Sequence, residues 1–230
     1  MAPKHTDREY EGELEHLREL VLLMGARVEE MLQLAMRSFE ENNIALARST
    51  IEVDTAVDKL ELEIDDCCLR ILARRQPVAS DLRFITTTLK LVTDLERIGD
   101  LCVNLCERVA EFENEPPQRG TTPIPRMAES VKSMLHDALD AFVAGDVARA
   151  EDVLSRDQFV DAYYAQLFPE LGARMMADPK VVFRSTRLLS IGKYLERIAD
   201  HATNIAEMVV FMVRGQDVRH TTQSHPPEPN

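Results

Sequence analysis

Apolar residues recur along this chain every three or four positions, in long runs separated by short polar breaks. Leu14, Leu17, Val21, Met24, Val28, Met31, Leu32, Ala35 and Phe39 form the first stripe, spaced as on one face of an α-helix. The pattern predicts a first helix over 7–41, broken at Asn42-Asn43. A second helix runs from about Ile44 to Arg75 and stops at Pro77, whose ring lacks an N–H and clashes with the preceding turn. Ser80 is the expected N-cap of a third helix reaching about Phe112. Pro116, Pro117, Gly120, Pro123 and Pro125 then mark a linker. The second half repeats the plan. A fourth helix spans about Arg126 to Ala144 and ends at Gly145, and a fifth runs from Asp146 to Ala177. Asp178-Pro179 opens a sixth, which runs to Arg214 with Gly215 as its stop. The polar, Pro-rich stretch 216–230 is expected to be a disordered tail. Helices of about 30 residues are about 45 Å long, and three joined by short turns make an antiparallel bundle. The expected fold class is therefore all-α. It comprises two tandem antiparallel three-helix bundles, 1–115 and 126–215, joined by a linker at 116–125 into an elongated molecule.

An internal repeat supports this division. Asp94-Leu95-Glu96-Arg97-Ile98-Gly99-Asp100 and the residues after it, to Glu107, return 100 positions later as Tyr194-Leu195-Glu196-Arg197-Ile198-Ala199-Asp200, to Glu207. Leu, Glu, Arg, Ile, Asp, Asn and Glu recur in register, the mark of one helical unit used twice. In the first copy Ile98, Leu101, Cys102, Leu105 and Val109 share a helix face. Ile198, Ala202, Ile205 and Val209 do so in the second. Glu96, Asp100 and Glu107 fall on the opposite side, as do Glu196, Asp200 and Glu207.

Composition narrows the function. With 45% apolar residues in 230, the chain can build a core, and 29% charged residues with no Trp suit long amphipathic helices. A net charge of −13 argues against nucleic acid as a partner. It is compatible with bound cations. The opening Met1–Gly12 is polar and acidic, unlike a signal peptide. No run approaches the roughly 18 apolar residues of a membrane span, so a cytoplasmic protein without membrane insertion is expected. Cys67, Cys68, Cys102 and Cys106 lie on or beside apolar faces and read as buried free thiols. The second copy has Ala202 and Ala206 opposite Cys102 and Cys106, so the duplicated feature is acidic, not thiol.

Each Glu-x-x-x-Asp sets two carboxylates one helical turn apart, with Cβ atoms about 6 Å apart, a repulsive spacing that a cation reverses. A second acidic pair precedes each copy: Asp54/Asp58 before Glu96/Asp100, and Asp157/Asp161 before Glu196/Asp200. Glu61 and Asp65 extend the first, whereas Tyr164 stands where Glu61 would recur. The midpoint of Asp58 and Glu96, and of Asp54 and Asp100, is Pro77. Those of Asp161 with Glu196 and Asp157 with Asp200 fall between Asp178 and Pro179. Residues equidistant from the turn of an antiparallel hairpin sit at one height, so each half levels four carboxylates. Oxygen-only donors select hard cations, Mg²⁺, Mn²⁺, Ca²⁺ or iron, and disfavour zinc. The helical wheel turns these acids outward. That leaves water-bridged or multinuclear binding as the way to close the distance.

Other acidic signals are weaker. Asp81 suits the positive end of the third helix and has Val181 as its counterpart. Glu13-x-x-His16 matches half of a diiron motif, but such sites need two copies facing inward. Arg97 and Arg197 are expected to pair with neighbouring acids. Nothing resembles a nucleophile–base set, a phosphate loop or a nucleotide fingerprint, so no enzyme is expected.

The chain resembles the PhoU family. The likeness rests on Ala73-Arg74-Arg75-Gln76-Pro77-Val78-Ala79-Ser80-Asp81-Leu82-Arg83, on the Leu-Glu-Arg-Ile-Gly-Asp and Leu-Glu-Arg-Ile-Ala-Asp copies, and on the Gly215-Gln216-Asp217-Val218-Arg219-His220 ending. It covers nearly the whole chain. The resemblance implies two three-helix bundles, homodimerisation, and metal ions at Asp54, Asp58, Glu96, Asp100, Asp157, Asp161, Glu196 and Asp200. The divalent or trivalent ions expected there are Mg, Mn or Fe. It also implies a negative regulator of the phosphate-starvation response, one that couples the ATPase subunit of the high-affinity phosphate transporter to a sensor histidine kinase. The alternatives are a helical carboxylate protein for metal storage or redox work, and a plain scaffold kept soluble by its acids.

Overall fold

A computed structural model describes residues 4–113, 115 and 122–216. Six long helices carry the fold, in the order α1 (Lys4–Glu40), α2 (Ile44–Arg74), α3 (Ala79–Ala110), α4 (Ile124–Ala144), α5 (Val147–Ala177) and α6 (Val182–Arg214). A short 3₁₀ turn, Pro179–Val181, precedes α6. The described residues contain no strand. Of the tail expected at 216–230, residues 217–230 lie outside the described residues, as do 114 and 116–121 of the connecting segment.

The breaks have local causes. Asn42 takes a left-handed φ of 49°, which asparagine tolerates better than most residues. Asn43 then caps α2 by accepting from the Leu46 N–H. Asp146 caps α5 and Asp178 caps the 3₁₀ turn in the same way, through the N–H groups of Arg149 and Lys180. Gly145 and Gly215 end α4 and α6 at φ values of 64° and 69°, a conformation that costs glycine little. Ser80 is not the cap of α3. Val78 holds that position without a side-chain bond, and the Ser80 hydroxyl turns to Asp81 Oδ1 at 3.3 Å.

Two tandem three-helix bundles result, α1–α2–α3 and α4–α5–α6. They also pack on each other, α3 against α6 and α1 against α4, and their apolar faces merge into one continuous core. Leu17, Met24, Met31, Ile64, Leu91 and Ile98 are fully buried in the first half, and Met134, Leu135, Leu167, Leu195 and Ile205 in the second. All four cysteines are buried and free.

Polar contacts pin the corners and the seam. Arg75 grips Glu13 through two bonds, Nε to Oε2 at 2.8 Å and Nη2 to Oε1 at 3.1 Å. Glu13 is thereby committed to an ion pair, which disposes of the half-motif with His16. Tyr10 donates to Asp81 at 3.0 Å. Across the seam, His201 Nδ1 lies 2.6 Å from Asp94 Oδ1, and Asn204 donates to the same oxygen at 3.1 Å. Arg83 Nε reaches the Met212 carbonyl in the last turn of α6 at 3.0 Å.

Candidate metal centre

The long antiparallel α2–α3 and α5–α6 hairpins carry the eight acids. Asp54 and Asp58 lie on α2 with Glu96 and Asp100 facing them from α3. Asp157 and Asp161 lie on α5 opposite Glu196 and Asp200 on α6. Of the pairs levelled by counting from the turns, Asp54 with Asp100 and Asp157 with Asp200 influence each other, whereas Glu96 is influenced across its groove by Glu61. Burial raises Asp54 to about 6, helped by the charges of Asp58 on its own helix and Asp100 across the groove. Burial likewise raises Asp157 to about 6, helped by Asp161, Asp200 and Glu196. Glu96 is raised by burial and then by Asp100, and Asp200 by burial and then by Glu196. Glu61 joins the first group, raised by burial and by Asp65 and Asp58.

The helical wheel overstated how far these acids face outward. Asp58, Asp161 and Asp200 are exposed, but Asp54, Glu96, Asp100, Asp157 and Glu196 are partly covered. The glutamates are the most sheltered, with side-chain exposures of 21% for Glu96 and 17% for Glu196. The cause is the neighbouring helix, which a single-helix projection leaves out. Small residues let the pairs close in. Asp54 Oδ1 lies 3.1 Å from where a Cβ on Gly99 would stand, and Ala199, fully buried, occupies the matching place on α6.

Cations of the protein's own enter both grooves. Arg97 reaches Asp100 at 3.2 Å and Glu96 at 3.4 Å, as its spacing suggested. Lys193, overlooked in the sequence although its i,i+3 spacing to Glu196 was there to be read, puts Nζ 2.5 Å from Glu196 Oε2. The ammonium also sits 5.4 Å from the Tyr164 ring centroid.

The donor set suits a hard cation: it is all oxygen, crowded with like charge, and short of water on one side. Its geometry does not suit a single closed site. Among the described residues, no three His, Cys, Asp or Glu side chains gather so as to hold one metal ion. The acids stand instead as pairs along two facing helix edges, an arrangement for ions that bridge pairs and keep water ligands.

The PhoU domain family matches residues 21–109 and again 124–209 of this chain. The chain belongs to the PhoU family. The two matches fall on the two bundles, and the gap between them contains the connecting segment. The chain is 41% identical over 218 residues to a "Phosphate-specific transport system accessory protein PhoU homolog" of Pseudomonas putida, covering 94% of this chain and 85% of that one. The crystal structure of PhoU from Pseudomonas aeruginosa superposes with a TM-score of 0.87 at 39% identity, over 90% of this chain and all of that one. That of the phosphate transport system regulatory protein PhoU from Streptococcus pneumoniae superposes at 0.83 with 30% identity, over 91% and 99%. No helix among the described residues is long and apolar enough to cross a membrane.

Proposed function

We propose that this PhoU-family protein is a metal-carrying, non-enzymatic adaptor of phosphate homeostasis. It works in the cytoplasm as a homodimer and restrains the phosphate-starvation response when phosphate is plentiful. It does so by docking on the ATPase subunit of the high-affinity phosphate transporter and on a sensor histidine kinase. The observation that carries this reading is kinship along nearly the whole chain with an accessory protein of a phosphate-specific transport system. Asp54, Asp58, Glu96 and Asp100 would hold one set of Mg, Mn or Fe ions, and Asp157, Asp161, Glu196 and Asp200 the other. Such ions would supply positive charge, offsetting the mutual repulsion of the acids and tying α2 to α3 and α5 to α6.

Deleting the gene is expected to raise transcription of phosphate-starvation genes in phosphate-rich medium; unchanged transcription refutes the regulatory role. The purified chain should take up Mn²⁺, and a Glu96→Ala/Asp100→Ala/Glu196→Ala/Asp200→Ala variant should not. Equal uptake by the two removes the metal assignment. Turnover of Fe²⁺ and oxygen at catalytic rates would favour a storage or redox protein.

A further inference from the structure

The two acidic groups differ in what surrounds them. Beside the first stand Glu61 and Asp65, giving six carboxylates on α2 and α3. In the second, Tyr164 and Phe168 replace those two acids, leaving four. The matching residues on α3 and α6 differ as well. Thr93 on α3 turns its hydroxyl to the Leu89 carbonyl at 3.4 Å. Lys193 on α6 instead extends to Glu196, 2.5 Å away, with the Tyr164 ring beneath its ammonium. Tyr164 and Lys193 thus form a matched set, a ring in place of a carboxylate and a cation laid over it. The first group has a cation of its own in Arg97, 3.2 Å from Asp100 and 3.4 Å from Glu96, but no aromatic ring stands in its carboxylate set as Tyr164 does in the second.

We propose that Lys193 is a tethered counter-ion of the second acidic group, held over Tyr164, and that it competes with metal ions for Glu196. The metal consequence rests on the reading given under Proposed function; the counter-ion role does not. The first group, with six carboxylates against the single guanidinium of Arg97, then binds hard cations more tightly than the second, with four against Lys193. The second loads only when Lys193 withdraws. A positive charge at the mouth of a cation site opposes binding through direct Coulomb repulsion, which falls off slowly over these distances.

The test uses the full-length, metal-free chain with Mn²⁺ as the probe. In a Glu96→Gln/Asp100→Asn background, which silences the first group, Lys193→Met is expected to tighten Mn²⁺ binding by about tenfold or more. Unchanged affinity overturns the competition. Without metal, Lys193→Met should lower Tm by a few degrees and Lys193→Arg should restore much of the loss, on the ordinary scale of a lost ion pair. An unchanged metal-free Tm in Lys193→Met overturns the counter-ion role. If no variant, nor the wild type, binds Mn²⁺, the metal reading fails. The counter-ion role is then decided by the metal-free melts alone.

Discussion

Gly192 on α6 is buried where α5 leans closest. A Cβ built there would stand 2.4 Å from Leu167 Cδ2 and 3.4 Å from Tyr164 Cδ2. Carbon atoms rest at about 3.5–4.0 Å, so Gly192→Ala forces Leu167 back by more than an ångström. Leu167 is fully buried and cannot swing into water. Overpacking of this kind costs about 1–3 kcal/mol, while alanine in place of glycine within a helix returns about 1 kcal/mol. The net expectation is a loss of about 1 kcal/mol. Gly172, on α5, is the control, since nothing lies within 4 Å of its Cβ position. Gly172→Ala should gain about 1 kcal/mol, partly by restricting the unfolded chain. For a chain of this size 1 kcal/mol moves Tm by about 2–4 °C, so the two variants should melt about 4–8 °C apart. Thermal unfolding followed by far-ultraviolet circular dichroism reads the difference. Gly192→Ala/Leu167→Val should recover stability relative to Gly192→Ala, because the shorter side chain makes room. A Gly192→Ala protein melting at or above Gly172→Ala would refute the packing argument.

Other expectations follow from the charges. Asp54 and Asp157, lifted to about 6 from 3.8, bind protons more tightly folded than unfolded. The metal-free protein should therefore gain stability as pH falls from about 7 toward 4 and lose it as pH rises through 6. Asp54→Asn/Asp157→Asn should flatten that slope in chelated buffer, and a slope unaltered by the double variant would contradict it. Glu13 shifts the other way, held low chiefly by its bond to Arg75. Its stabilisation is present above the usual glutamate range and disappears in acid. Glu13→Gln should cost about 1–3 kcal/mol at neutral pH, visible as a lower urea midpoint. Asp94→Ala leaves His201 and Asn204 without their shared acceptor and should cost a similar amount. Hydrogen exchange should quicken in α3 and α6 together; unchanged protection there would show that the contact adds nothing.

The helices were legible because their apolar stripes are long and regular. Asn42, Pro77, Gly145 and Gly215 punctuate them through backbone chemistry that acts within a few residues. The facing acids were legible for a different reason: antiparallel hairpins convert position along the chain into height, so counting from Pro77 puts Asp54 level with Asp100. What surrounds the acids was not legible. The shelter over Glu96 and Glu196 comes from the adjoining helix, and the Lys193–Tyr164 contact joins residues 29 positions apart. The Asp94–His201 contact lies further out of reach, since it links the two halves and neither residue belongs to the part of the motif that repeats. Ser80 misled because its residue type fits a cap that the geometry beside Pro77 does not use.

The seam between the halves breaks the symmetry that the acids keep. Where the first copy offers Asp94 the second has Tyr194, and where the second offers His201 the first has Leu101. The trio that joins them therefore exists in only one pairing, first copy with second. Two first copies would set aspartate against leucine, and two second copies histidine against tyrosine. A chain made of near-duplicates risks pairing like copies, first with first or second with second. Here the mismatch makes each bundle's proper mate the opposite copy rather than its own twin.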